Sequence, residues 1–340
     1  MDTQIKDVAR AAGVSATSVS RVLNNSPHVS EKLEKKVRQA IEQLNYTPSM
    51  IAKSLKRNKT NLIGVIIADI TSGYQASVLS GIEEECARRG YHLLVSNIKE
   101  NTKKVMDYLQ VFQEMRVDGI LLMHGKMNEE IQSFIKRTHI PIIAQADVGF
   151  DLPVVTIDNI QAAYDATEYL IRKGHRRIAM LAGDMQDTSE GRHRCQGYIA
   201  ACKHYGITID HSLIRYGDYK LDTGYWLMEE LLQNRENHSF TAVFAVSDDM
   251  AVGAMNRIHD RGLRVPDDFS VISIDGGPMS DIVRPRLTAI HQPVDRITRT
   301  VLDLLFERIE PEKYRSELPP SGWVNRIPHD LIEKESCKDL

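Results

Sequence analysis

The chain has 340 residues, of which 42% are hydrophobic and 26% are charged, and its formal net charge is −3. This length can hold two or three domains, and the hydrophobic content is enough to bury substantial cores. The N-terminus lacks the basic and apolar segments of a signal peptide, and no apolar run approaches the length of a membrane span. The four cysteines are widely spaced, which favours a reducing cytoplasm over a disulfide framework.

Charge is divided unevenly along the chain. Residues 1–60 contain 11 Lys and Arg against 5 Asp and Glu, whereas residues 61–340 contain 32 against 41. A basic segment on an acidic body is typical of a protein that binds phosphate groups through that segment. The alternative interpretation is a basic surface that contacts only solvent.

The first elements in the chain have the pattern of a helix-turn-helix. Apolar residues recur at i, i+3, i+4 and i+7 over Ile5–Ala12, which predicts a helix with one apolar face. Gly13 breaks that helix, and Ser15 is suited to cap a second one that buries Val19 and Val22. The second helix is predicted to expose Ala16, Thr17, Ser18 and Arg21. Such a helix can enter a DNA major groove, although two helices alone also fit an ordinary helical hairpin.

A third helix and a short basic segment follow. Ser30 is predicted to cap a helix that continues with a 3.6-residue period to Asn45. Pro48 ends this helix and can begin another of about two turns. Helices shorter than ~12 residues are marginal in water, so residues 49–56 are expected to need a partner to fold against.

These segments resemble the lac repressor family of bacterial transcription regulators. The resemblance is carried by Ile5-Lys6-Asp7-Val8-Ala9, Gly13-Val14-Ser15, the segment Thr17–Asn24, Asn45-Tyr46-x-Pro48 and Ala52-x-Ser-Leu55. It covers nearly the whole chain. It implies a helix-turn-helix headpiece at 1–48, a hinge helix and linker at 49–60, and an effector-binding and dimerisation core at 61–340.

The predicted DNA contacts combine the exposed face of the second helix with other positions of the headpiece and hinge. They are Thr3, Lys6, Ser15, Ala16, Thr17, Ser18, Arg21, Asn24, His28, Ser30, Tyr46, Ala52, Lys53 and Leu55. The resemblance further implies that two hinge helices lie in the minor groove, with Leu55 wedged at a central base step. Unstacking a step costs a few kcal/mol, which DNA bending and the added contacts offset.

Beyond residue 60 the pattern changes to alternating strands and helices. Compact apolar runs predict buried strands at 62–67, 93–95, 120–123, 140–144, 154–157, 178–182, 213–216, 242–246, 271–274 and 288–291. Helical stretches such as Val78–Arg89 and Lys103–Met115 lie between them. The predicted fold class is therefore α/β, with an all-α headpiece followed by doubly wound parallel sheets in two lobes.

The resemblance implies the two-lobed architecture of periplasmic sugar-binding proteins for the core. The chain would cross between lobes near residues 160, 291 and 322. The N-lobe would then hold about 61–159 and 292–322, and the C-lobe about 160–291 and 323–340. Ligands of such sheets bind at the carboxyl ends of the strands, so an effector is expected in the cleft between the lobes.

Several enzyme classes lack their motifs in this sequence. There is no G-x-G-x-x-G, no Gly-Lys-Ser or Gly-Lys-Thr, and no G-x-S-x-G. The group formed by His193, Cys195, Cys202 and His204 does not have the spacing of a zinc site. We therefore expect no enzymatic activity, no cofactor and no metal.

Polar side chains at or beyond the ends of predicted strands could hold a small ligand. They are Asp69, Tyr74, Asp147, Arg194, Tyr219, Ser247, Asp248 and Asp275. Carboxylates accept hydrogen bonds from hydroxyls, a guanidinium donates as a fork, and a tyrosine can stack on a sugar ring. This set suits a polyol, although some of its members could instead cap helices, as Asp158 is predicted to do.

The resemblance assigns roles to three of these side chains. In the family, the arginine of R-x-x-G-[Y/F/W] contacts effector, and Arg194 matches it. The aspartate that ends the strand at 271–274 also contacts effector, and Asp275 matches it. Tyr219 matches an aromatic residue of the family's pocket.

Two departures from the family pattern fall in the same region. Ser247 stands where the family often has asparagine, and Ala146 stands where it usually has aspartate, with Asp147 one position later. Both positions belong to the presumed pocket. The identity of the effector is therefore open at this stage.

We expect a cytoplasmic, sequence-specific repressor that binds a palindromic operator as a homodimer. Its operator affinity should change with a small effector, such as a sugar or sugar derivative. One alternative is a sugar-binding or sugar-modifying enzyme with an accessory helical domain, and another is a global regulator with a protein co-effector. Residues 329–340 are short and charged and lack the leucine heptad of the family's tetramers, which favours a dimer.

Overall fold

The computed structural model describes residues 4–23, 26–27, 29–46, 59–99, 101–233, 239–314 and 322–340, with only the backbone for Thr188. The chain forms two compact units, Met1–Asn61 and Leu62–Leu340. In the described residues, every helix is too short or too polar to cross a membrane.

The first unit contains three helices, which are α1 (Ile5–Ala12), α2 (Ala16–Leu23) and α3 (Glu31–Gln43). Gly13 ends α1 with φ at 65°, a left-handed conformation that glycine adopts without a steric penalty. The two predicted caps are confirmed: Ser15 Oγ accepts from the Ser18 amide at 3.1 Å, and Ser30 Oγ accepts from the Leu33 amide at 3.3 Å. Val19 and Val22 are buried as predicted.

The second unit alternates strands and helices, and every apolar run predicted to be a strand forms one. Its strands are β1 (Leu62–Ile67), β2 (His92–Asn97), β3 (Gly119–Met123), β4 (Ile142–Ala144), β5 (Val154–Ile157), β6 (Ile178–Ala182), β7 (Ile214–Tyr216), β8 (Ala242–Ala245), β9 (Ser270–Asp275), β10 (Thr288–His291), β11 (Val324–Ile327) and β12 (Asp330–Ile332).

The helices of the second unit lie between these strands. They are α4 (Gly73–Arg88), α5 (Lys103–Glu114), α6 (Glu129–Arg137), α7 (Asn159–Arg172), α8 (His193–His204), α9 (Leu221–Gln233), α10 (Asp248–Asp260), α11 (Pro278–Ile282), α12 (Val294–Ile309) and α13 (Pro311–Tyr314). One π-helical turn, Thr188–Arg192, leads directly into α8.

The strands form two six-stranded sheets, one in each lobe. The first sheet has the order β11-β5-β4-β3-β1-β2, and all its strands are parallel. The second has the order β12-β10-β9-β8-β6-β7 and is parallel except for the β10–β12 pair. Central strands such as β3, β6 and β8 are buried along their whole length, as expected for strands covered by helices on both faces.

The third crossing between the lobes was predicted at the wrong place. The sequence interpretation put residues 323–340 in the C-lobe, but β11 pairs with β5 from Val324 to Ile327 in the first sheet. The chain therefore crosses between Ile327 and Asp330, where β12 joins the second sheet. The two strands are short and partly exposed at sheet edges, so they have no continuous apolar run in the sequence.

Candidate functional site

The exposed face of α2 presents the side chains expected of a DNA reader. Thr17 and Arg21 are exposed and four residues apart, so they lie on one side of the helix. Lys6 and Ser15 are also exposed, and Ser18 is partly buried with its hydroxyl 2.9 Å from that of Ser15.

Other predicted DNA contacts have additional structural roles or cannot be placed. Ala16 and Tyr46 are half-buried and pack against the apolar core of the first unit, and Ser30 caps α3. Six further positions lie outside the described residues: Thr3, Asn24, His28, Ala52, Lys53 and Leu55. The predicted hinge at 49–60 is described only at residues 59 and 60.

The second unit contains a cavity of about 400 Å³. Its lining includes residues that follow strands of both sheets. Its polar wall combines carboxylates, carboxamides, hydroxyls, an imidazole, a guanidinium and two ammonium groups, drawn from Asp69, Tyr74, Gln75, His124, Lys126, Gln145, Asp187, Glu190, Arg194, Asp218, Tyr219, Lys220, Ser247, Asp249 and Asp275. Met123 and Met279 add apolar surface. The volume of this cavity lies in the range of pockets that bind small molecules.

Arg194 is the most deeply buried charged group of this wall, with only 1% of its surface exposed. Its Nε donates to Asn159 Oδ1 at 2.8 Å, and its Nη1 donates to the Val246 carbonyl at 2.6 Å. Burial by itself lowers the pKa of Arg194, but Glu190 and Asp275 outweigh it and the guanidinium stays charged. The remaining donors of this rigid fork can serve a ligand.

The motif around Arg194 also explains how α8 is held in place. A side chain on Gly197 would collide with the carbonyl of Ile160, so glycine allows α8 to pack directly against α7. Tyr198 follows it and donates to the Ile178 carbonyl at 2.8 Å. These contacts fix the turn of α8 that carries Arg194 into the cavity.

Asp275 occupies the end of β9 with an unusual backbone, at φ 127°. Gln292 Nε2 donates to its Oδ1 at 2.8 Å, and the Asp248 amide donates to its Oδ2 at 3.3 Å. Burial and the nearby Asp248 raise the pKa of Asp275, whereas Arg194 lowers it. Because backbone strain of this kind concentrates at ligand sites, the geometry supports a binding role for Asp275.

Tyr219 and the π-helical turn form the adjoining wall. Tyr219 has φ at 67°, in the left-handed region, and its hydroxyl donates to Asp187 Oδ2 at 2.9 Å. Asp187 Oδ1 accepts from the amides of Ser189 and Glu190, which fixes the start of the turn. Glu190 Oε2 then lies 4.0 Å from Arg194 Nη1.

Four further side chains from the N-lobe belong to the polar lining. Gln145 donates through Nε2 to the Tyr74 hydroxyl at 2.8 Å, and Gln75 Oε1 accepts from the Ala68 amide at 3.0 Å. His124 is 6% exposed, and burial lowers its pKa to about 4. His124 is therefore neutral near pH 7 and can both donate and accept hydrogen bonds.

Two predicted ligand contacts do not line the cavity. Asp248 turns into the protein, where it accepts from Ser273 Oγ at 2.6 Å and from the Gly277 amide at 2.8 Å. Asp147 accepts from the amide of Gly149 at 3.1 Å and so folds back on its own loop. The other six predicted positions, which are Asp69, Tyr74, Arg194, Tyr219, Ser247 and Asp275, do line it.

Sequence reasoning missed several lining residues. Asp249 takes the place expected of its neighbour Asp248, and Asp187 and Glu190 stand in a D-x-x-E spacing that is typical of a helix start. That spacing could have drawn attention to them. Gln75, His124 and Gln145 carry no such local signal.

The arrangement of the wall suits the binding of a small polar molecule. No group of three or more His, Cys, Asp and Glu residues within the described ranges could hold a metal ion. The wall offers many hydrogen-bond acceptors, a fixed guanidinium and two lysines that are paired with carboxylates.

Comparison with known proteins identifies both units. Residues 4–49 match the model of bacterial regulatory proteins of the lacI family, and residues 167–337 match a periplasmic binding protein-like domain. The chain is 35% identical over 345 residues to the HTH-type transcriptional repressor PurR of Vibrio atlanticus, with 99% of each chain covered.

Two solved structures align with the chain over nearly its full length. The lac repressor dimer bound to operator and the anti-inducer ONPF aligns with a TM-score of 0.85 at 25% identity, covering 99% of this chain and 100% of that one. The complex of the transcriptional regulator CelR with cellobiose aligns with a TM-score of 0.73 at 28% identity, covering 98% and 99%. The chain is thus a DNA-binding transcriptional regulator with a small-molecule effector domain, and not an enzyme. It belongs to the lacI family of bacterial regulatory proteins.

Proposed function

We propose that the chain represses transcription as a homodimer on a palindromic operator in the cytoplasm, under the control of a sugar or sugar derivative bound in the cavity. The observation that carries the choice of effector is the composition of the cavity wall. Arg194, Asp275 and Asp187 offer a charged donor and two acceptors, and Tyr74 and Tyr219 offer aromatic surface beside them. A polyol satisfies such a wall, and the CelR relative was solved with cellobiose.

Phosphorylated sugars fit this cavity less well, because its basic groups already have acidic partners. Lys126 Nζ lies 2.7 Å from Asp184, and Lys220 Nζ lies 2.8 Å from Asp218. Arg194 faces Glu190 and Asp275. A phosphate would have to displace one of these partners or remain beside carboxylates.

Dimerisation follows from the size of the headpiece. One α2 helix reads only a few base pairs, whereas two copies related by a twofold axis read a palindrome. The lac repressor relative was solved as a dimer on its operator. Effector binding between the lobes would then change operator affinity through a coupling free energy between the two sites.

Thermal unfolding of the full chain with a panel of pentoses, hexoses and disaccharides tests the effector assignment. A sugar at 100 times its dissociation constant adds about 2.7 kcal/mol of stability, which raises the melting temperature measurably. The sugar that does so should also change operator affinity in a gel-shift titration.

Two results would contradict the proposal. One is that no sugar stabilises the chain, and the other is that a stabilising sugar leaves operator affinity unchanged. An operator response that appears only with a partner protein would favour the regulator with a protein co-effector.

A further inference from the structure

One wall of the cavity contains two carboxylates from opposite lobes. Asp69 follows β1, and Asp249 is the second residue of α10. Asp69 Oδ1 accepts from the Thr71 amide at 3.0 Å, and Asp249 Oδ2 accepts from the Gly73 amide at 3.4 Å across the cleft. Because Thr71 lies two residues before Gly73, the first residue of α4, both carboxylates are held at the start of that helix.

Each carboxylate keeps one oxygen available to a ligand. No described residue donates a hydrogen bond to Asp69 Oδ2 or to Asp249 Oδ1. The negative charge of Asp69 adds to burial in raising the pKa of Asp249. A like-charge pair held together in this way is most stable when a cation lies between its members.

The cations of the cavity are committed elsewhere. Lys126 pairs with Asp184, Lys220 pairs with Asp218, and Arg194 is held by Asn159 and the Val246 carbonyl. No described basic side chain pairs with Asp69 or Asp249. The wall therefore has acceptor oxygens and negative charge that the protein itself does not neutralise.

A third acceptor on the same side also lacks a donor. Gln145 is 5% exposed, and its Nε2 donates to Tyr74, which lies beside Gly73 in the first turn of α4. Its Oε1 receives no hydrogen bond from the described residues, although the side chain lines the cavity. This oxygen is an acceptor that the protein leaves unpaired at the cavity, so a hydrogen-bond donor of the ligand can bind to it.

Resting on the proposed sugar-like effector, we propose that the effector is an amino sugar whose protonated amino group binds between Asp69 and Asp249. An ammonium group carries three donors and no acceptor, which complements a wall of acceptors. Its hydrogen bonds to carboxylates join two ionised groups, so they add an attraction between opposite charges that a hydroxyl donor lacks. The remaining hydroxyls would face Arg194 and Asp275 on the other side of the cavity.

Matched sugars separate this inference from the proposed function. The full chain is titrated calorimetrically with each parent hexose, its 2-amino-2-deoxy form and its N-acetylated form. We expect at least one amino sugar to bind on the order of tenfold more tightly than its parent and its N-acetylated form, because only the ammonium group adds an attraction between opposite charges to the hydrogen bonds.

Two isosteric variants test the wall itself. Asp69→Asn and Asp249→Asn keep the shape and the acceptor for the Thr71 or Gly73 amide but remove the charge, so each should lose the preference for the amino form. Asp107→Asn removes one charge from the exposed side of α5 and should keep that preference. Circular dichroism of each variant confirms that it folds.

The outcomes are distinguishable. A parent hexose that binds at least as tightly as its amino form overturns the inference but leaves the proposed function standing. Binding by no sugar of any form contradicts the proposed function as well. Stabilisation by magnesium chloride alone that disappears in Asp249→Asn would show a metal site at this wall and would also overturn the inference.

Discussion

Replacing Arg194 with alanine should destabilise the second unit as well as remove effector binding. The guanidinium donates at 2.8 Å to Asn159, which is 4% exposed, and at 2.6 Å to the carbonyl of the fully buried Val246. Each acceptor left without its donor costs about 1–3 kcal/mol. Asp275 and Glu190 would also lose the attraction of the buried guanidinium, so a total of about 3–5 kcal/mol is expected.

Tryptophan fluorescence during urea unfolding measures this change. The only two tryptophans, Trp226 and Trp323, belong to the second unit, so unfolding of the headpiece does not contribute to the signal. The urea concentration at the midpoint of unfolding should be lower for Arg194→Ala, while the dependence of the free energy of unfolding on urea concentration stays the same. Arg192→Ala is a matched control, because Arg192 is exposed two residues earlier and its loss should cost no more than about 0.5 kcal/mol.

A loss of less than about 1 kcal/mol in Arg194→Ala would refute the argument, since it would mean that water or a rearranged neighbour replaces both hydrogen bonds. A variant that stays stable but no longer responds to sugar would show that Arg194 serves only the ligand. If Arg192→Ala and Arg194→Ala lowered the free energy of unfolding by the same amount, burial of Arg194 would not be the cause of the destabilisation.

Three further predictions concern the headpiece, the cavity and the hinge. Thr17→Ala should relax operator preference at one position per half-site by ~1–3 kcal/mol, and selection from a random library that returns an unchanged operator would exclude Thr17 as a base contact. Because burial lowers the pKa of His124 to about 4, against 6.5 when unfolded, the unfolded chain binds the extra proton first. The contribution of His124 to the free energy of unfolding should therefore fall by about 3 kcal/mol between pH 6.5 and pH 4, and urea titrations of His124→Gln should lack that part of the pH dependence. Leu55→Ser should weaken operator binding far more than binding to random DNA and should abolish operator bending; equal weakening on both DNAs would refute a wedge at Leu55.

Local patterns in the sequence were enough to predict the headpiece and most of the sheets. The period of α1, the caps at Ser15 and Ser30 and the break at Gly13 depend on neighbours within four residues, so the sequence alone specifies them. Buried strands such as β3 are continuous apolar runs, because helices cover both of their faces.

Which residues line the cavity depends more on tertiary structure than the helices and strands do. Arg194 and Asp275 could be predicted because each belongs to a recognisable motif. The choice between Asp248 and Asp249 could not, since successive helix residues point about 100° apart and the packing of α10 decides which one faces the cavity. Likewise, only the pairing of β11 with β5 shows that Val324–Ile327 belongs to the first sheet, because a short, partly exposed edge strand has no apolar run to mark it.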